Sequence, residues 1–184
     1  MHLKRISILA LALLTSIALA GAADAQSKKK SPKKKKPAKK QSADFAFKGS
    51  EKILFKTTPQ GKLHLHVFKP RGWKADDARP GIVFFFGGGW SGGTPGQFEQ
   101  HCNYLASRGM VAITAEYRVR SRHKTSPFEC VEDGKSAVRW ARAHADDLGI
   151  DPKRLAAGGG SAGGHVAAAT ATTKLDAKSD EQKD

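Results

Sequence analysis

Leu155-Ala156-Ala157-Gly158-Gly159-Gly160-Ser161-Ala162-Gly163-Gly164-His165, followed by the alanine-rich Val166 to Ala171, is an apolar run, a glycine-rich turn and a helix-forming run in that order. At its centre stands Gly159-x-Ser161-x-Gly163. A chain that passes from strand to helix at a single residue forces that residue into a strained backbone region and lifts its side chain off the end of the sheet. The residues two positions away must be small, because strand and helix backbones approach closely there. Two readings of Ser161 follow. It is either an inert serine in a glycine-rich turn, or an exposed nucleophile with the amide of Ala162 and the positive end of the new helix aimed at a developing oxyanion. The strand before it and the helix after it favour the second.

Upstream, Ile82-Val83-Phe84-Phe85-Phe86 is continuously apolar and bounded by Gly81 and Gly87, as a strand buried on both faces requires. Gln97 to Arg108 reads as a helix with Phe98, Cys102, Leu105 and Ala106 on one face, stopped by Gly109. Met110 to Ala115 is a second buried strand, ending in Glu116-Tyr117-Arg118. Pro127 opens a helix to about Ala145, with Phe128, Val131, Ala137, Val138 and Trp140 as its apolar stripe. Strand and helix in alternation predict an α/β domain with right-handed crossovers and a functional edge at the carboxyl ends of the strands. Ahead of it, Ile53 to Lys56 and Leu63 to Phe68 predict a hairpin around Thr58-Pro59-Gln60-Gly61. Alternation along the second of these strands predicts His64 and His66 on the outer face of an edge strand.

Phe86-Gly87-Gly88-Gly89-Trp90 closes the first buried strand at the same edge as Ser161. Consecutive glycines let backbone amides face a small anion. The same glycines satisfy a dinucleotide fingerprint at Gly87, Gly89 and Gly92, and again at Gly158, Gly160 and Gly163. A dinucleotide site needs its helix to start inside the turn, whereas Trp90-Ser91-Gly92-Gly93-Thr94-Pro95-Gly96 postpones it. Acyl chemistry therefore ranks above nucleotide binding.

The amino-terminal part of the 184-residue chain has a different character. Residues 1–25 read as a secretory signal, with Lys4 and Arg5, an apolar core from Ile6 to Ala20 and a cleavage site at Ala23-Asp24-Ala25. An uncleaved anchor is the competing reading. Residues 26–43 hold nine lysines and nothing able to form a core, which predicts a disordered linker and explains most of the net charge of +15. Such a run behind an export signal, with no aromatic residue to stack on bases, suits weak contact with an anionic envelope surface better than specific nucleic-acid binding. The folded domain is expected over 44–173, with a charged disordered tail over 174–184. Cys102 and Cys130 are the only cysteines; a disulfide and two buried free thiols both remain open, the thiols slightly favoured. No metal-ligand spacing is present.

Taken together, Phe86 to Trp90, Glu116-Tyr117-Arg118, Leu148-Gly149-Ile150-Asp151-Pro152 and Gly159 to His165 resemble successive landmarks of α/β-hydrolase esterases of the hormone-sensitive-lipase-like and acetyl-xylan-esterase-like groups. The resemblance covers about residues 50–173. It implies a mostly parallel α/β-hydrolase sheet with an antiparallel hairpin at its amino end, of which about the first five strands are present. It further implies Ser161 as nucleophile, the amides of Gly88, Gly89 and Ala162 as oxyanion hole, Tyr117 and Arg118 shaping the loop behind the site, Trp90 packed beside the glycines, His165 in a structural role, and a small ester substrate without a cofactor. This chain departs from the family at Phe86, where a histidine usually steadies the oxyanion loop, and at Glu116, where an aspartate is common. In this fold the acid and base follow the serine. His165 is the only histidine after Ser161, so the triad Asp and His are missing from this chain. His123 is a remote substitute as base. The expectation is an exported, periplasmic or extracellular serine esterase, incomplete here. The alternative is a catalytically inactive remnant or an envelope-associated binding protein with a polybasic tail.

Overall fold

The computed structural model describes residues 44–174. The signal, the lysine-rich linker and all but the first residue of the tail lie outside them. Five strands, β1 (Ser50–Thr58), β2 (Gly61–Phe68), β3 (Arg79–Phe85), β4 (Val111–Ala115) and β5 (Ile150–Gly159), form one sheet in the order β1-β2-β4-β3-β5. The hairpin turns at Pro59-Gln60, and β1 runs antiparallel to β2. Strand β2 is antiparallel to β4, while β3 is parallel to both β4 and β5. The sheet is mixed, with its parallel part around β3.

Strand β3 occupies the middle of that parallel part, which is why five successive apolar residues were needed. Val83 and Phe85 join the core formed with α3 (Pro127–Ala143) and α4 (Ala162–Thr172), while Ile82 and Phe84 pack with Cys102 and Ala106 of α1 (Glu99–Ser107) on the other face. A 3-10 turn, Pro95–Phe98, precedes α1, so the regular helix starts two residues later than its apolar spacing suggests. Gly109 turns the chain with φ 91°. Strand β5 is longer than Leu155–Ala157 because Ile150 already pairs with Arg79. Cys102 and Cys130 are both free and buried, in separate clusters.

Two expectations are corrected. Strand β2 is interior, flanked by β1 and β4, and the edge position belongs to β1. His66 is therefore completely buried and His64 half-buried, each with a ring nitrogen 3.1 Å from the Glu116 carboxylate. Alternation located the strand but not its neighbours. Phe128 is 81% exposed and does not belong to the stripe of α3. It sits in the first turn, where Ser126 accepts from the amide of Phe128 and Glu129 accepts from that of Ser126, a capping box that fixes the helix start independently of the core.

Candidate active site

Ser161 joins β5 to α4 with φ 50° and ψ −120°, a conformation costly for a residue with a Cβ. The close approach inferred from the flanking glycines is real. A Cβ on Gly163 would lie 2.0 Å from the Phe85 carbonyl oxygen, and one on Gly159 2.4 Å from that of Gly163. Ser161 is exposed, and among the described residues its hydroxyl makes no hydrogen bond.

The loop after β3 lies against this turn. A Cβ on Gly87 would stand 2.8 Å from the Gly160 carbonyl oxygen and 3.4 Å from Ser161 Cβ. Three successive loop carbonyls, those of Phe86, Gly87 and Gly88, are engaged. Tyr117 donates its hydroxyl to Phe86 O, Gln97 Nε2 donates to Gly87 O at 3.0 Å, and the amides of Ser91 and Gly92 both donate to Gly88 O at 3.0 Å. By contrast, the amides of Gly88, Gly89 and Ala162 find no acceptor among the described residues. A loop with its carbonyls tied back and its amides free beside an exposed serine can bind the oxygen of a carbonyl group as it becomes an anion.

Phe86 acts through packing: its ring stacks on Tyr117 at 4.1 Å and 17°. Burial raises the Tyr117 phenol well above its ordinary value, so it remains a hydrogen-bond donor. Behind it, Arg118 meets Asp133 through two side-chain contacts of 2.8 Å, and Lys56 approaches the same carboxylate at 3.1 Å. Burial opposes the Arg118 charge, but its hydrogen bonds to the Asp133 carboxylate and the charge of that carboxylate outweigh it and raise the guanidinium pKa. Burial likewise works against a charged Glu116, and the hydrogen bonds of His66 and His64 overcome it, leaving the carboxyl below its usual range.

Neither His123 nor His165 hydrogen-bonds to the serine. His123, in the short helix α2 (Arg120–His123), accepts the Val119 amide at Nδ1; burial first, and Arg122 next, keep it below its ordinary pKa. His165 lies exposed on α4 with its ring edge-on to Trp90 at 5.5 Å. A cavity of about 360 Å³ lined by Phe86, Glu116, Tyr117, Arg122 and His123 opens beside the loop; Ser161 does not line it. The postponed helix is observed as well. The glycine loop is followed by a 3-10 turn, and α1 starts only at Glu99, which removes the helix N-terminus that a dinucleotide phosphate requires at that loop.

A family model described as BD-FAE matches residues 65–184. The chain belongs to the BD-FAE family. Among curated proteins, this BD-FAE member is 33% identical over 104 residues to an AB hydrolase superfamily protein of Schizosaccharomyces pombe, covering 55% of this chain and 30% of the relative. It is also 33% identical over 112 residues to the carboxylic ester hydrolase LipN of Mycobacterium tuberculosis, covering 60% and 28%. Among solved structures, the thermophilic esterase Est2 of Thermogutta terrifontis is 53% identical, with a TM-score of 0.65, covering 66% of this chain and 43% of that one. The chain thus spans about 30% of those curated relatives and less than half of Est2. The fold is that of the α/β-hydrolase esterases, of the hormone-sensitive-lipase-like group.

Gln97, Asp133 and the His64–His66–Glu116 bridge were missed by sequence reasoning. Asp133 had a signal, a charge inside the apolar face of a helix. Gln97 had none, because its partners are backbone atoms.

Proposed function

We propose that the protein is an exported serine carboxylic ester hydrolase acting on small acyl or acetyl esters. The observation that carries this reading is the exposed, strained Ser161 facing a loop whose Gly88 and Gly89 amides, with that of Ala162, have no other acceptor among the described residues. In the reaction, Ser161 Oγ bonds to the ester carbonyl carbon and gives up its proton to a base. The carbonyl oxygen becomes the anion held by the three amides. The carbon–oxygen bond to the alcohol then breaks and the alcohol leaves with the proton. Water attacks the acyl-serine, releasing the carboxylic acid and restoring the hydroxyl. Each amide of this kind is worth roughly 10²- to 10³-fold in kcat. The basic start, apolar core and cleavage site of residues 1–25 support export, and the lysines of 26–43 support weak attachment to an anionic envelope surface.

A second reading, a binding protein that keeps the turn without turnover, has one observation in its favour: within 44–174 no histidine or carboxylate hydrogen bonds to Ser161. Hydrolysis of a short-chain aryl ester by the mature chain and by Ser161→Ala separates the two. Esterase 2 of Thermogutta terrifontis has been captured phosphorylated by paraoxon, so paraoxon labelling read by mass spectrometry is a parallel assay. Hydrolysis and label that both vanish in Ser161→Ala support the esterase. Hydrolysis that the substitution leaves unchanged excludes Ser161 as nucleophile, and labelling without turnover favours the second reading.

A further inference from the structure

Gly87 lies beyond the last paired residue of β3, since the registers with β4 and β5 both end at Phe85. Its backbone N–H and C=O therefore have no strand partner. Both are met by one side chain: the Gly87 amide donates to Gln97 Oε1 at 2.8 Å, and Gln97 Nε2 donates back to Gly87 O at 3.0 Å. The Gln97 amide imitates a neighbouring strand at the point where the sheet ends.

The consequence runs through one peptide plane. Gly87 C=O and Gly88 N–H belong to the same trans peptide, so they point in opposite directions. Fixing the carbonyl on Gln97 fixes where the Gly88 N–H points. Glycines have wide backbone freedom, and without that bond the plane is free to turn. Gln97 itself is well anchored. It belongs to the Pro95–Phe98 turn, where Pro95 O accepts the Thr114 hydroxyl at 2.9 Å and Phe98 stacks on Phe84 at 4.7 Å and 7°. Phe98 also approaches Gly160, next to the serine.

We propose that Gln97 is a positioning residue that clamps the Gly87–Gly88 peptide so that the Gly88 amide faces the substrate oxygen at Ser161. It rests on the esterase reading for its catalytic consequence, and on hydrogen-bond geometry alone for the clamp.

The test uses the full chain with Gln97→Ala and Gln97→Glu. Gln97 is exposed, so neither change removes core packing. Gln97→Ala is expected to lower kcat roughly 10- to 100-fold with KM changed less than about 2-fold. Its Gly87 amide should exchange about 5- to 10-fold faster in hydrogen-exchange NMR, while β3 amides keep their rates. In Gln97→Glu, the ionised carboxylate accepts from Gly87 N–H but repels Gly87 O. The neutral acid has the shape and the donor–acceptor pair of glutamine. Activity relative to wild type should therefore rise as pH falls through the ionisation of the new carboxyl, a profile that Gln97→Ala lacks. Unchanged Gly87 exchange in Gln97→Ala, or unchanged kcat beside Ser161-dependent wild-type activity, overturns the proposal. If the wild type shows no Ser161-dependent hydrolysis, the esterase reading fails by itself, and Gly87 exchange in Gln97→Ala and Gln97→Glu still decides the clamp.

Discussion

A single methyl group at Gly163 probes the serine turn as sharply as any change to Ser161. Its Cβ would be placed 2.0 Å from Phe85 O and 2.5 Å from Phe86 O, both rigid backbone atoms, so relief requires α4 to move off β3. Gly163→Ala is expected to lose about 3 kcal/mol or more in urea unfolding, at the upper end of overpacking effects. One residue further on, a Cβ at Gly164 first meets Gly159 O at 3.3 Å. Gly164→Ala should cost less than about 1 kcal/mol, since helix propensity offsets the contact. Equal losses would remove the steric account of the pattern. That account is why the turn was legible in the sequence: the strain at Ser161 dictates residue types at fixed spacing. The neighbouring loop was only half legible. Its glycines showed that amides were needed, but their aim is set by Gln97 and Tyr117, whose bonds to Gly87 and Phe86 leave no periodicity or spacing to read.

Between elements, a buried charge cluster joins β1, the end of β4 and α3. Lys56 is 1% and Asp133 0% exposed. Asp133 accepts from the Arg118 amide at 2.9 Å and from the Arg118 side chain, faces Lys56 and thereby fixes the segment that carries Tyr117. Asp133→Asn keeps the shape but leaves two buried cations, of which Arg118 keeps a carboxylate contact, Glu132 at 3.6 Å. Removing one partner of such a cluster costs about 3–5 kcal/mol. Lys56→Met leaves the Arg118–Asp133 pair intact and should cost at least about 2 kcal/mol less in the same unfolding assay. A loss under about 1 kcal/mol for Asp133→Asn would show that the cluster carries no stability. The elements themselves were legible because apolar runs and glycine stops mark them. Their polar cross-links were not, because burial of Lys56 or His66 depends on which strands lie alongside, and strand order is a property of the assembled sheet.

On the scale of the whole molecule, groups with displaced pKa values predict a dome of stability against pH. His123 is depressed by burial and by Arg122. The unfolded chain takes up its proton first, from about pH 6.5 downward, so stability falls from there until the folded histidine also protonates. Glu116 is depressed because the bonds of His66 and His64 overcome its burial, and Glu129 because Ser126 hydrogen-bonds it. Their contribution is complete above about pH 4.5 and is lost as pH falls through their lower folded values. On the alkaline side, burial pushes Cys102 up to about 12, and burial with the charges of Asp133 and Glu129 pushes Cys130 up to about 12. The unfolded thiols ionise near pH 8.5 while the folded ones stay protonated, so stability declines as pH rises above that value. The maximum is expected between about pH 6.5 and 8.5, read from urea midpoints across pH. His123→Asn, whose side-chain oxygen can accept the Val119 amide without titrating, should remove the first acid step and leave the carboxylate step. Cys102→Ala with Cys130→Ala should flatten the alkaline limb, although the cavities lower the whole curve. A midpoint that stays level from pH 8 to pH 11 in the wild type would contradict the burial of both thiols, and with it the two-sided core around β3 on which the serine turn is mounted.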